Sequence, residues 1–182
     1  MNVPTALTLL RIILIIPLIL AFEAGTIGRA TGSNFWHGVA ILSFLLAAGT
    51  DWLDGYLARK WQQISSLGAL LDPLADKILV AAALISLSAA AIIPAWTVIV
   101  VLTREFLVSG LRIMIAESGG GVLPASWSGK AKTACQLLAI GLYLWPSDTL
   151  RYWAHATYAI AIILTFISGI SYARQAVALL KS

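Results

Sequence analysis

Six apolar segments, each long enough to cross a lipid bilayer as a helix, constrain the fold of this chain more than any other feature of its sequence. A helix needs about 20 predominantly apolar residues to cross the hydrocarbon core. The segments cover residues 5–23, 36–58, 67–91, 94–115, 127–145 and 151–173. With a mean hydropathy of +0.91 and 11% charged residues, the chain is too apolar for a soluble domain of this size. The sequence therefore predicts an all-α integral membrane protein with six transmembrane helices. Since the connections are short, it also predicts a single membrane domain over residues 1–182.

The distribution of Lys and Arg predicts how these segments are oriented. Basic residues concentrate in the short connections that face the cytoplasm. With the N-terminus inside, the inner side carries Arg59, Lys60, Arg112, Lys130, Lys132, Arg174 and Lys181. The outer side has only Arg29 and Arg151. We therefore expect both termini in the cytoplasm. The net charge of +4 follows from this orientation and from contact with anionic membrane lipid, so it does not indicate a nucleic-acid partner.

Four aspartates lie in and beside the second and third apolar segments. They form two couples, Asp51 with Asp54 and Asp72 with Asp76. Spacings of three and four residues place each couple on one face of its helix. In an antiparallel hairpin that turns near residue 63, the couples lie at matching depth, within about 5 to 20 Å of the turn. The carboxylates are thus predicted to converge on one pocket near the cytoplasmic face.

The surroundings of these aspartates favour a metal site. The positions three and four residues away on either helix hold no basic residue. Clustered carboxylates in a low dielectric then need either protonation or a cation. Oxygen ligands without a paired His or Cys indicate Mg²⁺ or Mn²⁺, as one or two ions, with Ca²⁺ as a further candidate. The alternative is a structural network of carboxylates paired with neighbouring bases.

The same stretch also resembles a known family. It matches the signature D-x2-D-G-x2-A-R-x8-G-x3-D-x3-D at Asp51, Asp54, Gly55, Ala58, Arg59, Gly68, Asp72 and Asp76. On these residues the chain resembles the CDP-alcohol phosphotransferase family, whose members transfer a phosphatidyl group from a CDP-linked lipid to an alcohol, release CMP and depend on a divalent metal. The stretches "NVPTALTLLR", "DPLADK", "TREFLVSGLR" and "SWSGKAKTACQ" are similar to bacterial members whose acceptor is glycerol 3-phosphate.

The resemblance implies partners and a location. The expected substrates are CDP-diacylglycerol and sn-glycerol 3-phosphate. The expected location is the bacterial cytoplasmic (inner) membrane, with the active site facing the cytoplasm, and the expected assembly is a homodimer.

The resemblance further implies a role for each matching residue. The metal ligands are expected to be Asp51, Asp54, Asp72 and Asp76. Asp76 is also expected to be the general base that takes the proton from the acceptor hydroxyl. The residues expected to bind the CDP-lipid are Asp51, Gly55, Ala58, Arg59 and Gly68, together with Asn2, Pro4 and Thr8 of the N-terminal stretch.

Basic residues outside the signature are candidates for binding the phosphate of the acceptor. Arg112, Lys130 and Lys132 lie on the predicted cytoplasmic side, where a phosphate cluster is required, and Arg104 is a further candidate. Their alternative role is to orient the chain in the membrane. Arg104 is followed directly by Glu105, so a buried structural pair is the alternative for these two residues.

Arg11 lies roughly 12 Å into the first apolar segment. It is expected either to extend to the cytoplasmic headgroups or to contact a lipid phosphate or a carboxylate near the site.

Two other functions remain compatible with these features. One is a related transferase that uses another acceptor, such as serine, inositol phosphate or phosphatidylglycerol. The other is a divalent-cation transporter, because acids inside a membrane often mark ion paths. The acids cluster near one face and no comparable acids continue to the outer side, which favours the enzyme.

Overall fold

The computed structural model of the chain is built of α-helices. It describes residues 3–24, 34–61, 66–117 and 127–180, and the side chains of 6–24, 35–50, 74–115 and 127–175. The helices in these ranges are α1 (Val3–Glu23), α2 (Asn34–Trp61), α3 (Ser66–Ala89), α4 (Ala95–Glu117), α5 (Trp127–Leu144) and α6 (Asp148–Leu180). Each helix coincides with one predicted apolar segment, so the all-α prediction is confirmed for the described residues. The largest difference is at the end of α6, which continues to Leu180 instead of stopping near residue 173.

Two helices in the described ranges are long and apolar enough to cross a membrane. They are the stretch Ala6–Glu23 of α1, with a mean hydropathy of 2.3, and the stretch Asp148–Gln175 of α6, with a mean hydropathy of 1.7. The apolar stretch Phe35–Thr50 of α2 is shorter. The prediction of six spans therefore stays a prediction.

Several polar side chains are buried inside the bundle, and many large apolar side chains face outward. The buried polar and charged residues are Thr8, Arg11, Ser43, Thr97, Lys132, Gln136, Thr165 and Ser168. Large apolar residues face outward instead, including Ile13 and Ile16 of α1, Ile99 and Phe106 of α4, and Ile163 and Ile167 of α6. Outward apolar faces of this extent fit a hydrocarbon surrounding, whereas water would disfavour them.

The packing of the helices places α1 beside the predicted site. This helix packs against both α2 and α3, while α5 packs against α6 and α4 contacts α3 and α6. The interior between them is filled by fully buried apolar side chains such as Leu18, Leu84, Leu87, Ile140 and Leu144. Because α1 lies against α3, residues on the inner face of α1 can contact the acids of α3.

The end of α3 contains a residue in the left-handed backbone conformation. The Ile92 N–H donates to the Leu87 carbonyl at 3.0 Å, and the Ala91 N–H donates to the Ser88 carbonyl at 2.9 Å. Together these two bonds form a Schellman motif, whose left-handed position usually holds glycine. Here the position holds Ala91, with φ of 56°.

Ala91→Gly is therefore expected to stabilise the protein. Glycine removes a left-handed strain of about 1–2 kcal/mol but costs about 0.5–1 kcal/mol in additional freedom of the unfolded chain. We expect a small rise in the thermal midpoint measured in detergent. Ala89→Gly, in the last turn of the same helix, is the matched control and should lower the midpoint. A lower midpoint for Ala91→Gly would contradict the prediction.

Candidate active site

The four aspartates of the signature lie on two consecutive helices. Asp51 and Asp54 are in the second half of α2, and Asp72 and Asp76 are in the first half of α3. The sequence predicted both couples on these two helices, and the antiparallel hairpin that turns near residue 63, outside the described residues, stays a prediction. The predicted site residues whose side chains fall outside the described part of the structure are Asn2, Pro4, Asp51, Asp54, Gly55, Ala58, Arg59, Gly68 and Asp72. The roles given to them, and the convergence of the four acids, stay predictions.

Asp76 forms an ion pair with an arginine of α1. The Arg11 NH1 group donates to Asp76 Oδ1 at 2.6 Å. The Arg11 side chain is completely buried, whereas the Asp76 side chain is 47% exposed. Of the alternatives predicted for Arg11, the structure shows contact with a carboxylate of the site. Thr8 lies three residues before Arg11 and is also fully buried, so both side chains occupy the inner face of α1.

This partner of Asp76 does not lie at helical spacing from it. Arg11 and Asp76 are 65 residues apart in the chain, and only the packing of α1 on α3 brings them together. The ion pair anchors one oxygen of the Asp76 carboxylate on the α1 side of the site.

Glu105 of α4 joins two basic side chains. Its Oε1 atom accepts hydrogen bonds from Lys132 Nζ of α5 and from Arg104 NH1, the latter at 2.9 Å. The Lys132 side chain is only 2% exposed. The structure thus contains the Arg104–Glu105 pair that was one alternative from the sequence, and it adds Lys132. The three groups together carry a net positive charge, because one carboxylate meets two cations.

Arg112 is held by a tyrosine of α6. Its NH2 group donates to the Tyr172 hydroxyl, and the Tyr172 ring also lies 5.1 Å from the Arg112 guanidinium carbon and 5.3 Å from that of Arg104. Aromatic rings attract guanidinium groups at such distances. Tyr172 is itself buried, so it fixes the direction of Arg112 from inside the bundle.

One cavity brings several of these groups together. It has a volume of about 320 Å³ and lies among α2, α3, α4 and α5. Its polar lining consists of Asp76, Lys77, Glu105, Arg112, Lys132, Thr133 and Gln136. The structure thus places the candidate general base in the same cavity as two of the candidate phosphate ligands, Arg112 and Lys132. The charged residues of the lining are three cations and two carboxylates, which favours an anionic ligand.

The other two phosphate candidates lie elsewhere. Lys130 is exposed on the first turns of α5 and is not part of the cavity lining. Arg104 lines a separate, mainly apolar groove of about 420 Å³ between α4 and α6, together with Tyr172 and Thr165. The structure therefore separates the predicted basic cluster into two residues that face the cavity and two that do not.

No role was predicted for three polar residues of this region, Lys77, Gln136 and Tyr172. For Gln136 a signal was present, because it lies four residues after Lys132 in an apolar helix and therefore shares its face. Tyr172 lies in the last apolar segment, and only the tertiary contact with Arg112 gives it a role at the site.

Comparison with known proteins identifies the family. The chain matches the family model of CDP-alcohol phosphatidyltransferase over residues 1–167. The chain belongs to this family. The resemblance that the signature predicted is thereby confirmed.

Curated relatives are similar to the chain over most of their length. The chain is 39% identical over 180 residues to the CDP-diacylglycerol–glycerol-3-phosphate 3-phosphatidyltransferase of Bacillus subtilis, covering 94% of this chain and 93% of the relative. It is 40% identical over 178 residues to the enzyme of the same name from Escherichia coli K12, covering 94% and 92%. A probable phosphatidylglycerophosphate synthase of Mycobacterium tuberculosis H37Rv is 40% identical over 176 residues, covering 96% and 81%.

Proposed function

We propose that this family member transfers the phosphatidyl group of CDP-diacylglycerol to sn-glycerol 3-phosphate, forming phosphatidylglycerophosphate and CMP. The observation that carries the proposal is that Asp76, Arg112 and Lys132 line one and the same cavity. The names of relatives about 40% identical to the chain support the same pair of substrates.

The cavity has the two features that this acceptor requires. Its hydroxyl needs a base, and its phosphate needs cations. Asp76 offers the carboxylate, while Lys132 and Arg112 offer charge-assisted hydrogen bonds, which are the stronger ones. The Arg112 Nε atom is buried and has no hydrogen-bond partner among the described residues, so it is suited to donate to a phosphate oxygen.

The proposed step moves one proton and exchanges one bond. The primary hydroxyl oxygen of the acceptor attacks the β-phosphorus of CDP-diacylglycerol, and its proton passes to Asp76. The new O–P bond replaces the bond to CMP, which leaves with the bonding electrons. Arg11 holds the Asp76 carboxylate by the ion pair, and Lys132 and Arg112 hold the acceptor phosphate, so that the hydroxyl is presented to the base.

We further propose that the reaction depends on Mg²⁺ or Mn²⁺, as one or two ions. The donor set fits such ions, because hard carboxylate oxygens are their preferred protein ligands. The residues that would hold them are Asp51, Asp54, Asp72 and Asp76. When bound, the ions would supply positive charge to the diphosphate of the CDP-lipid. The residues proposed to bind the CDP-lipid remain those of the signature and of the N-terminal stretch.

The proposed setting is the bacterial cytoplasmic membrane, crossed six times by one domain with both termini inside. Two observations support it. Apolar side chains cover the outward faces of the helices, and Arg112 and Lys132, both assigned to the inner side, share one cavity with Asp76. A homodimer is part of the proposal on family grounds.

The proposed function is tested by measuring CMP release from the purified protein. With CDP-diacylglycerol, sn-glycerol 3-phosphate and Mg²⁺ or Mn²⁺, we expect CMP and phosphatidylglycerophosphate in equal amounts. Chelation by EDTA should abolish release, and adding back Mg²⁺ or Mn²⁺ should restore it.

A panel of acceptors decides between related activities. Preference for serine, inositol phosphate or phosphatidylglycerol over sn-glycerol 3-phosphate would overturn the proposed acceptor. Metal flux into proteoliposomes without any CMP release would indicate a transporter instead.

A further inference from the structure

Gln136 is a buried polar residue of the cavity to which the proposed reaction gives no task. Its side chain is 1% exposed and lines the cavity together with Asp76 and Lys132. Its Nε2 atom has no hydrogen-bond partner among the described residues. Leaving such a donor unpaired inside a protein is costly, so buried polar groups normally have a partner. A ligand in the cavity would supply one.

The position of Gln136 on α5 narrows the chemistry of that ligand. It lies four residues after Lys132, one turn further along the same face, which is about 5–6 Å. If a ligand binds Lys132 through its phosphate and runs along α5, the part of the ligand next to the phosphate lies beside Gln136. The uncharged carboxamide of Gln136 is a good hydrogen-bond donor to a hydroxyl oxygen. The phosphate forms stronger hydrogen bonds with the neighbouring cations.

The acceptor of the proposed reaction has one polar group left for this donor. Its phosphate is assigned to Lys132 and Arg112, and its primary hydroxyl to Asp76. The secondary hydroxyl, on the carbon between them, is the group that remains. Its position in a three-carbon chain places it between the phosphate ligands and the base.

We propose that Gln136 donates a hydrogen bond from Nε2 to the secondary hydroxyl oxygen of the acceptor. This bond determines the specificity of the protein for acceptors that carry the secondary hydroxyl. This inference rests on the proposed function, because it takes the phosphorylated acceptor as given. The inference adds a residue that recognises the secondary hydroxyl, which neither reacts nor carries charge.

The experiment compares two acceptors that differ only in this hydroxyl. They are sn-glycerol 3-phosphate and 3-hydroxypropyl phosphate, which keeps the phosphate and the primary hydroxyl. For the wild-type protein we expect kcat/KM for CMP release to be about tenfold or more higher with sn-glycerol 3-phosphate, since a donor left unpaired lowers the affinity for the deoxy acceptor. In Gln136→Met, which keeps the length of the side chain but has no N–H donor, the ratio should fall toward one.

A matched control uses the glutamine of α6 outside the cavity. Gln175 Nε2 donates to Ser171 Oγ at 3.4 Å, and Gln175 is not part of the cavity lining. Gln175→Met should keep the wild-type ratio between the two acceptors. Gln136→Leu provides a second variant without the donor, in case Gln136→Met does not fold, and the thermal midpoint of each protein in detergent is measured alongside.

Three outcomes would overturn the inference. One is a wild-type protein that does not discriminate between the two acceptors. Another is that both Gln136 variants fold and keep the wild-type ratio of kcat/KM between the two acceptors, including the case in which kcat/KM falls by the same factor with both. The side chain would then not recognise the secondary hydroxyl. In these cases CMP release still supports the proposed function. Absence of CMP release from the wild-type protein with either acceptor would instead overturn the proposed function and, with it, this inference.

Discussion

Asp76→Asn is expected to lower the rate of CMP release by about 10²- to 10⁴-fold, the usual contribution of a positioned general base. The amide keeps the shape of the side chain but cannot take the proton of the acceptor hydroxyl. The loss should appear in kcat, whereas KM for the acceptor should change much less, since the proposed phosphate ligands remain in place.

The structure shows which controls this experiment needs. Asp76 is paired with the fully buried Arg11, so the substitution also weakens an ion pair that holds α1 against α3. The thermal midpoint in detergent must therefore be measured for the variant, and activity compared at a temperature at which both proteins are folded. Asp148→Asn removes an exposed carboxylate from the first turn of α6 and should leave the rate unchanged. A folded Asp76→Asn protein with wild-type turnover would disprove the assignment of the base.

Lys132→Met is expected to raise KM for sn-glycerol 3-phosphate by about 10- to 100-fold, because a hydrogen bond to a charged group contributes roughly 1.5–3 kcal/mol. The effect should be largest for acceptors that carry a phosphate. KM for CDP-diacylglycerol should change little, and kcat at saturating acceptor should be affected less than kcat/KM. The measurement is CMP release over a series of acceptor concentrations.

Lys130→Met separates a role at the site from a role in orienting the chain. The two lysines are two residues apart, but Lys130 is exposed while Lys132 is buried and lines the cavity. We therefore expect a much smaller change in KM for Lys130→Met. Equal effects of both substitutions would mean that burial in this cavity does not define the phosphate ligands. Because Lys132 also pairs with Glu105, the thermal midpoint of Lys132→Met is expected to fall as well.

The contacts of Glu105 and Tyr172 hold the cations of the cavity in position and leave a net positive charge. Glu105 pairs with both Lys132 and Arg104, so it holds Lys132 without cancelling the positive charge of the group. Tyr172 does the same for Arg112 through a neutral hydroxyl. Cations that are positioned in this way before the ligand arrives lose little freedom when they bind a phosphate.

Much of the fold was readable from local patterns. Helix positions follow from apolar length and from the charges and turn formers between segments, and these are properties of neighbouring residues. Each predicted segment therefore overlaps one helix of the described ranges. The extension of α6 to Leu180 does not follow from apolar length, because the apolar run ends near Arg174 while the helix continues beyond it.

Whether a contact of a site residue could be predicted from the sequence depended on how near its partner lies in the chain. Asp51 and Asp54 are three residues apart and Asp72 and Asp76 are four apart, so helical periodicity was enough to predict them as one group. The partners of Asp76 and Lys132 are 65 and 27 residues away, and no spacing within one helix could show them. Arg112, Lys130 and Lys132, with Arg104 as a further candidate, were predicted together, because the pattern of Lys and Arg predicts a side of the membrane but not which face of a helix points into the bundle.

The sequence by itself determined the helical, apolar character of this protein, its family and the acids that make its chemistry recognisable, because these depend on composition, length and periodic spacing. The tertiary structure decided which distant side chains meet. It placed Arg11 on Asp76, separated Lys132 and Arg112 from Lys130 and Arg104, and turned Gln136 toward the cavity. The physical reason is that burial and ion pairing in a bundle depend on how whole helices pack, and that packing is a sum over contacts between residues far apart in the chain.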